Sequence, residues 1–265
     1  MSTIQTWLLG ILLVGVLPAL AVFGAMRVRR AVGLEVLERH NEVAGFIYAV
    51  VGVVYAVLLG FTAIIVWEQF RHAQEGVERE ANALASLYRG AQVFPPDVRK
   101  QVEVVLRAYV RVVVEKEWPA MAEGKSSPEA WATYNQLWRI YHDFRPEDDH
   151  QRIWYAESLQ RMNDLGDHRR DRLLSIRSGV PGVIWAVLIG AGAITIGFSF
   201  FFGTRNARAQ GLMIAGLSVT IGVVLLSIVA LERPFAGFTR VEPDPFHQVV
   251  EILDQWGEPG TGGGQ

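Results

Sequence analysis

The chain has 265 residues, 51% of them hydrophobic and 20% charged, with a formal net charge of −2. That balance offers no basic face for nucleic acid. The absence of cysteine rules out disulfides, thiolate metal sites and cysteine nucleophiles.

Four stretches, residues 1–26, 43–67, 178–204 and 209–231, contain no Asp, Glu, Lys or Arg. Each reaches the ~20 residues that a helix needs to cross a hydrocarbon core. Lipid leaves no other partner for the backbone amides, so each run should be helical. The expected fold is therefore all-α: an integral membrane protein with four transmembrane helices and a helical polar domain inserted between spans two and three. The first span has no basic residue ahead of its apolar run and is long for a cleavable leader, so it reads as retained.

The second span, GVVYAVLLGFTAIIVWEQF from residue 52, carries a ridge of small residues. Ala49, Gly52, Ala56, Gly60 and Ala63 recur at intervals of three or four, which places them on one helix face. Small residues let helices approach closely in lipid, where no hydrophobic force drives them together. Two partners are open: the other spans of the same subunit, or further copies around a symmetry axis. Val53, Val57 and Phe61 form an adjacent face at i, i+4 and i+8 and would stack as apolar rings in a cyclic oligomer. No ionisable residue lies inside the spans, which argues against a proton relay or voltage sensor. A hydrophobic constriction remains compatible with a channel.

After span two the helical period continues through Phe70, Ala73, Val77, Ala81, Leu84 and Leu87, until Pro95 and Pro96 interrupt it. A helix opening at Pro96 carries Val98, Val102, Val105, Leu106, Tyr109 and Val113, and Pro119 is expected to end it. Pro128 opens a third helix presenting Trp131, Leu137, Trp138, Tyr141 and Phe144. A fourth, from about Asp148 to Ile176, presents Ile153, Trp154, Leu159, Met162, Leu165, Leu173 and Leu174. These residues read as the core of the polar domain. The last nine residues, GEPGTGGGQ, are too glycine-rich to bury a core and are expected to be disordered.

Catalytic constellations are absent. His142, Asp143, Glu147, Asp148, Asp149 and His150 lie close in sequence, but Pro146 interrupts any helical ligand spacing, so they read as a solvated acidic helix start rather than a metal site. GDHRRDRL, residues 166–173, reads as an exposed helix face with i,i+4 charge pairs. No nucleophile elbow, phosphate loop or HExxH is present, so neither an enzyme nor a cofactor is expected. Loop charge divides nearly evenly. Arg27, Arg29, Arg30, Arg39, Arg205 and Arg208 fall in the two short connections. Arg71, Arg79, Arg169, Arg170, Arg172, Arg177, Arg233 and Arg240 flank the spans on the other side.

LGFTAIIVWEQF, a helix leaving the membrane at a tryptophan and running on as a polar helix, resembles the pore helix of bestrophins. ALERPFAGFTRVEPDPFHQVVEIL resembles their segment in which an acidic residue and Pro-Phe-Gly precede an acidic turn and a short amphipathic helix. With HNEVAGFIYAVVGVVYAVLLGF, EANALASLYR, the Glu117-Trp118-Pro119 step and RRDRL, the chain is similar over residues 40–255 to a bestrophin-like family found in bacteria. The resemblance implies a homo-oligomeric channel, pentameric in bestrophins, passing small inorganic anions such as chloride across the bacterial inner membrane. It also implies a cytoplasmic polar domain and cytoplasmic termini. Aligned on the Leu-Gly-Phe step, the pore neck falls on Val53, Val57 and Phe61, two of them smaller than the usual isoleucine or phenylalanine.

The implied division is residues 1–67 for spans one and two, 68–178 for the polar domain and 179–231 for spans three and four. A C-terminal segment, 232–256, would pack on the polar domain, followed by the tail, 257–265. That segment resembles a clasp through Glu232, Pro234, Phe235, Gly237, Glu242 and Asp244, but it lacks the calcium-binding acidic cluster of animal bestrophins, so no metal is expected. A non-conducting membrane scaffold or sensor, whose helical domain docks a protein partner, is the competing expectation. An apolar patch left exposed on that domain would favour it.

Overall fold

A computed structural model describes residues 3–257, and among them there are helices and no strands. The glycine-rich tail after Gly257 lies outside the described residues. Two compact units divide the chain: residues 1–69, 179–233 and 237–239 form one, and 70–178, 234–236 and 240–265 the other.

The first unit holds α1 (Thr3–Ile11), a π-helical turn (Leu12–Val16), α2 (Leu17–Val32), the start of α3 (Leu34–Ala91), α8 (Gly182–Phe198) and α9 (Ala207–Leu231). Its helices include four segments long and apolar enough to cross a membrane, beginning at Ile4, Asn41, Gly182 and Ala207. The core is narrow and built from one face of each helix, with Ala21, Ala25, Tyr55, Leu59, Val66, Leu188, Ile214, Ile221 and Ile228 buried. Pro18 explains the π turn before it. Proline offers no N–H to a carbonyl four residues back, and the widened turn absorbs the clash. The turn pushes the Leu13 carbonyl against Gly222 of α9, where a Cβ would collide with it.

The connection between α2 and α3 is a single residue, Gly33, with φ of 87°. Only glycine enters that left-handed region without strain. Arg27, Arg29, Arg30 and Arg39 therefore lie in helices rather than in a loop, because helical structure continues past the end of the apolar run. Arg29 turns inward and donates to the Thr204 carbonyl at 2.6 Å and to Gln210 Oε1 at 2.7 Å. Asn41 closes the same end by exchanging two hydrogen bonds with Gly203, at 2.8 and 3.0 Å.

The second unit packs the remainder of α3 with α4 (Pro96–Val112), a second π turn (Val113–Glu117), α5 (Trp118–Ala122), α6 (Pro128–Asp143), α7 (Asp149–Ser175) and α10 (Asp244–Gly257). Pro119 does not end the helix, as its position suggested. The chain widens into the π turn and continues as α5, the solution already seen at Pro18. Ser127 caps α6 by accepting from the Ala130 amide, and Asp148 caps α7 by accepting from the Gln151 amide.

The core contains Val77, Leu84, Leu87, Val102, Leu106, Val113, Leu137, Tyr141, Met162 and Leu165, joined by Phe235, Phe246, Val249 and Leu253 from the C-terminal segment. Three expected core residues are instead exposed: Ile153 at 68%, Leu174 at 63% and Trp131 at 39%. The buried stripe of α7 runs through Ser158, Met162, Leu165, Arg169 and Arg172, and Ile153 and Leu174 lie off it.

Candidate functional site

Helix α3 presents two opposite faces within the first unit. Tyr55, Leu59, Thr62 and Val66 are buried at spacings of four, three and four, and make the contact with the other spans. Close approach is supplied from the facing helix: a Cβ on Gly192 of α8 would lie 2.7 Å from the Tyr55 hydroxyl oxygen. Val53, Val57 and Phe61, two residues before Tyr55, Leu59 and Ala63, lie about 200° around the helix from them. They are 63%, 51% and 65% exposed.

The small-residue ridge shares this outward side. Ala49, Ala56 and Gly60 are exposed, Gly52 and Ala63 are half-buried, and a Cβ on Gly52 or Gly60 would meet nothing within 4 Å. Of the ridge, Ala63 packs against the core formed with the other spans, and Ala49, Ala56 and Gly60 do not lie in it. At the Gly192 contact the small member belongs to α8, and α3 contributes the large one, Tyr55. Ala49, Val53, Ala56, Val57, Gly60 and Phe61 form an exposed apolar strip on α3, while Ala63 packs at the edge of the core shared with the other spans.

The clasp-like residues do not converge. Glu232 Oε1 accepts from the Val180 amide at 3.1 Å and from the Trp185 indole at 3.2 Å, tying the end of α9 to the start of α8. Phe235 packs edge-on against Trp118 with ring centroids 5.7 Å apart. Pro234 accepts from the Val241 amide at 2.7 Å, and Gly237 turns the intervening loop with φ of 94°. Glu242 pairs with Arg240 at 2.8 Å on the surface, and Asp244 opens α10. Among the described residues no three His, Asp or Glu side chains lie close enough to hold a metal ion.

A buried charge network in the second unit was not anticipated. Arg169 and Arg172, expected on an exposed face, have no accessible surface, and neither do Glu80 and Glu117. Arg172 donates through Nε to Glu80 at 2.6 Å and through Nη2 to both Glu80 (3.0 Å) and Glu117 (2.8 Å). Arg169 grips Glu117 with two bonds of 2.7 and 3.0 Å, and Tyr109 donates to Glu80 at 2.6 Å. The Arg169 guanidinium lies 4.7 Å from the centre of the Trp131 ring, and that of Arg172 lies 5.5 Å from Trp118. Two carboxylates and two guanidiniums cancel in formal charge.

Burial would lower the pKa of Arg172, but Glu80 and Glu117 outweigh it and hold the group protonated, above the ordinary arginine value. Burial, with Glu80 beside it, pushes the Tyr109 hydroxyl well above the usual tyrosine value. A sequence signal did exist. Glu80, Glu117, Arg169 and Arg172 all fall on the apolar stripes of their own helices, where a solvated charge would not be placed.

The bestrophin-like domain model matches residues 15–246 of this sequence. No curated protein matches it. Among solved structures, a point variant of a bacterial bestrophin homolog from Klebsiella pneumoniae superposes with a TM-score of 0.71 at 14% identity, covering 91% of this chain and 98% of that one. Another structure of that homolog, phased on zinc, gives 0.65 at 14% identity, with 92% and 98% covered. At such identity the likeness concerns the fold.

Proposed function

Because the chain belongs to the bestrophin-like family, we propose that it is an oligomeric channel for small anions whose pore is lined by α3. Val53, Val57 and Phe61 are the proposed constriction, and Ala49, Gly52, Ala56, Gly60 and Ala63 the proposed contact with neighbouring copies. The observation that carries this reading is the exposed apolar strip of α3. A helix facing only lipid gains nothing from glycine, whereas a helix packing on its own copies does. Rings of valine and phenylalanine around an axis would dewet a pore without any buried charge. The bilayer is the bacterial inner membrane in this reading, with the second unit and both termini in the cytoplasm.

The test is purified full-length protein in a planar bilayer. Currents carried by chloride are expected, with conductance or anion selectivity altered by Phe61→Ala. A protein that is monomeric in detergent and silent in liposome flux assays refutes the proposal.

A further inference from the structure

Between α2 and α9 runs a groove of about 560 Å³, walled by Val22, Phe23 and Met26 on α2 and by Ala215 on α9, with Arg27 and Arg30 at its rim. The two helices touch at Gly211, where a Cβ would lie 3.4 Å from Val22, while Ala215 is too small to fill the space beside that contact. Both arginines belong to the last two turns of the apolar segment Ile4–Val32 and are exposed, unlike the inward-turned Arg29. Long cationic side chains at such a position reach the headgroup level of a bilayer. Among the described residues no carboxylate forms an ion pair with either of them. The Arg27 guanidinium instead lies 4.9 Å from the centre of the exposed Phe23 ring, which keeps its charge at the mouth of the groove.

We propose that this groove binds an anionic glycerophospholipid, one acyl chain lying along Val22, Met26 and Ala215 and the phosphodiester held by Arg27 and Arg30. An apolar trough that ends at two unpaired guanidiniums complements a molecule whose anion adjoins hydrocarbon. Guanidinium forks also suit phosphate oxygens, which they bind in pairs. A free anion would make no use of the trough, and a lipid without net charge would leave the arginines uncompensated. The site gives the arginines at this end a role apart from signalling topology.

Native mass spectrometry of the full chain tests this, using mixed micelles doped with dioleoyl phosphatidylglycerol or dioleoyl phosphatidylcholine. The wild type should retain phosphatidylglycerol about tenfold better, as two arginines near an anionic headgroup imply. R27Q/R30Q should lose that preference, and A215W, which fills the trough but keeps both charges, should lose most retention. Inorganic phosphate should not displace the lipid. Equal retention of both lipids by the wild type, or an unchanged preference in R27Q/R30Q, overturns the proposal. Displacement by phosphate also overturns it, since the site would then serve a free anion. If R27Q/R30Q does not fold, undiminished retention by A215W overturns it instead.

Discussion

Arg169 and Arg172 carry full charges into the interior of the second unit, where desolvation is costly unless every charge is paired. Here the pairing is nearly complete. Arg172 spans Glu80 and Glu117, Arg169 completes Glu117, and of the charged groups in this network Arg169 Nε alone is buried without a partner. Glu117→Gln should therefore cost about 3–5 kcal/mol, the penalty for stranding a buried charge, and appear as a lower thermal midpoint by tryptophan fluorescence. Arg172→Lys should not rescue the fold, because one ammonium cannot reproduce a fork that reaches two carboxylates. Tyr109 adds a pH signature. Its folded pKa lies above its unfolded value, so its contribution is complete below about pH 10 and is lost as pH rises further. Denaturant titrations above that pH should show falling stability, with a shallower fall in Tyr109→Phe. The slope should persist in part, since burial also raises Tyr134 and Tyr141.

Individual helices separate glycines that another segment approaches closely from glycines that face open space. Gly222 faces the Leu13 carbonyl, so Gly222→Ala should destabilise the protein by roughly 1–3 kcal/mol through overpacking. Gly60 faces open space, so Gly60→Leu should leave helicity and thermal midpoint unchanged. If the α3 strip is the contact between copies, the same variant should shift the protein to smaller species on native mass spectrometry. An unshifted oligomer would remove the ridge from the proposed interface. The two π turns make a second point at this scale. Each lies just ahead of a proline, and each places a particular group: the Leu13 carbonyl against α9, and Glu117 between two arginines.

Topology belongs to the whole molecule, and charge alone does not decide it. Setting aside the buried Arg169 and Arg172 on one side and the inward-bonded Arg29 on the other leaves six arginines against five. A reporter active only in the cytoplasm, fused at residues 124–127 after α5, should be active if the proposed orientation holds. A silent fusion would invert it.

The four spans and the helical character of the polar region were legible in the sequence, because lipid solubility and amide satisfaction depend on local composition alone. So was the strip on α3, as a periodicity. Its partner was not legible: a small residue can receive a neighbour or provide clearance, and the same spacing serves both. Tertiary structure set close neighbours against Gly192 and Gly222 and left Gly52 and Gly60 open. It also turned Arg169 and Arg172 inward, since their place on the buried stripe of α7 marks them for burial but does not name the counter-charges that permit it. Glu80 and Glu117 reach Arg172 from positions 92 and 55 residues away in sequence. Composition thus determined which segments enter lipid and which helices form. Which charges are buried, and which face of α3 the other spans leave exposed, was decided only once distant segments met.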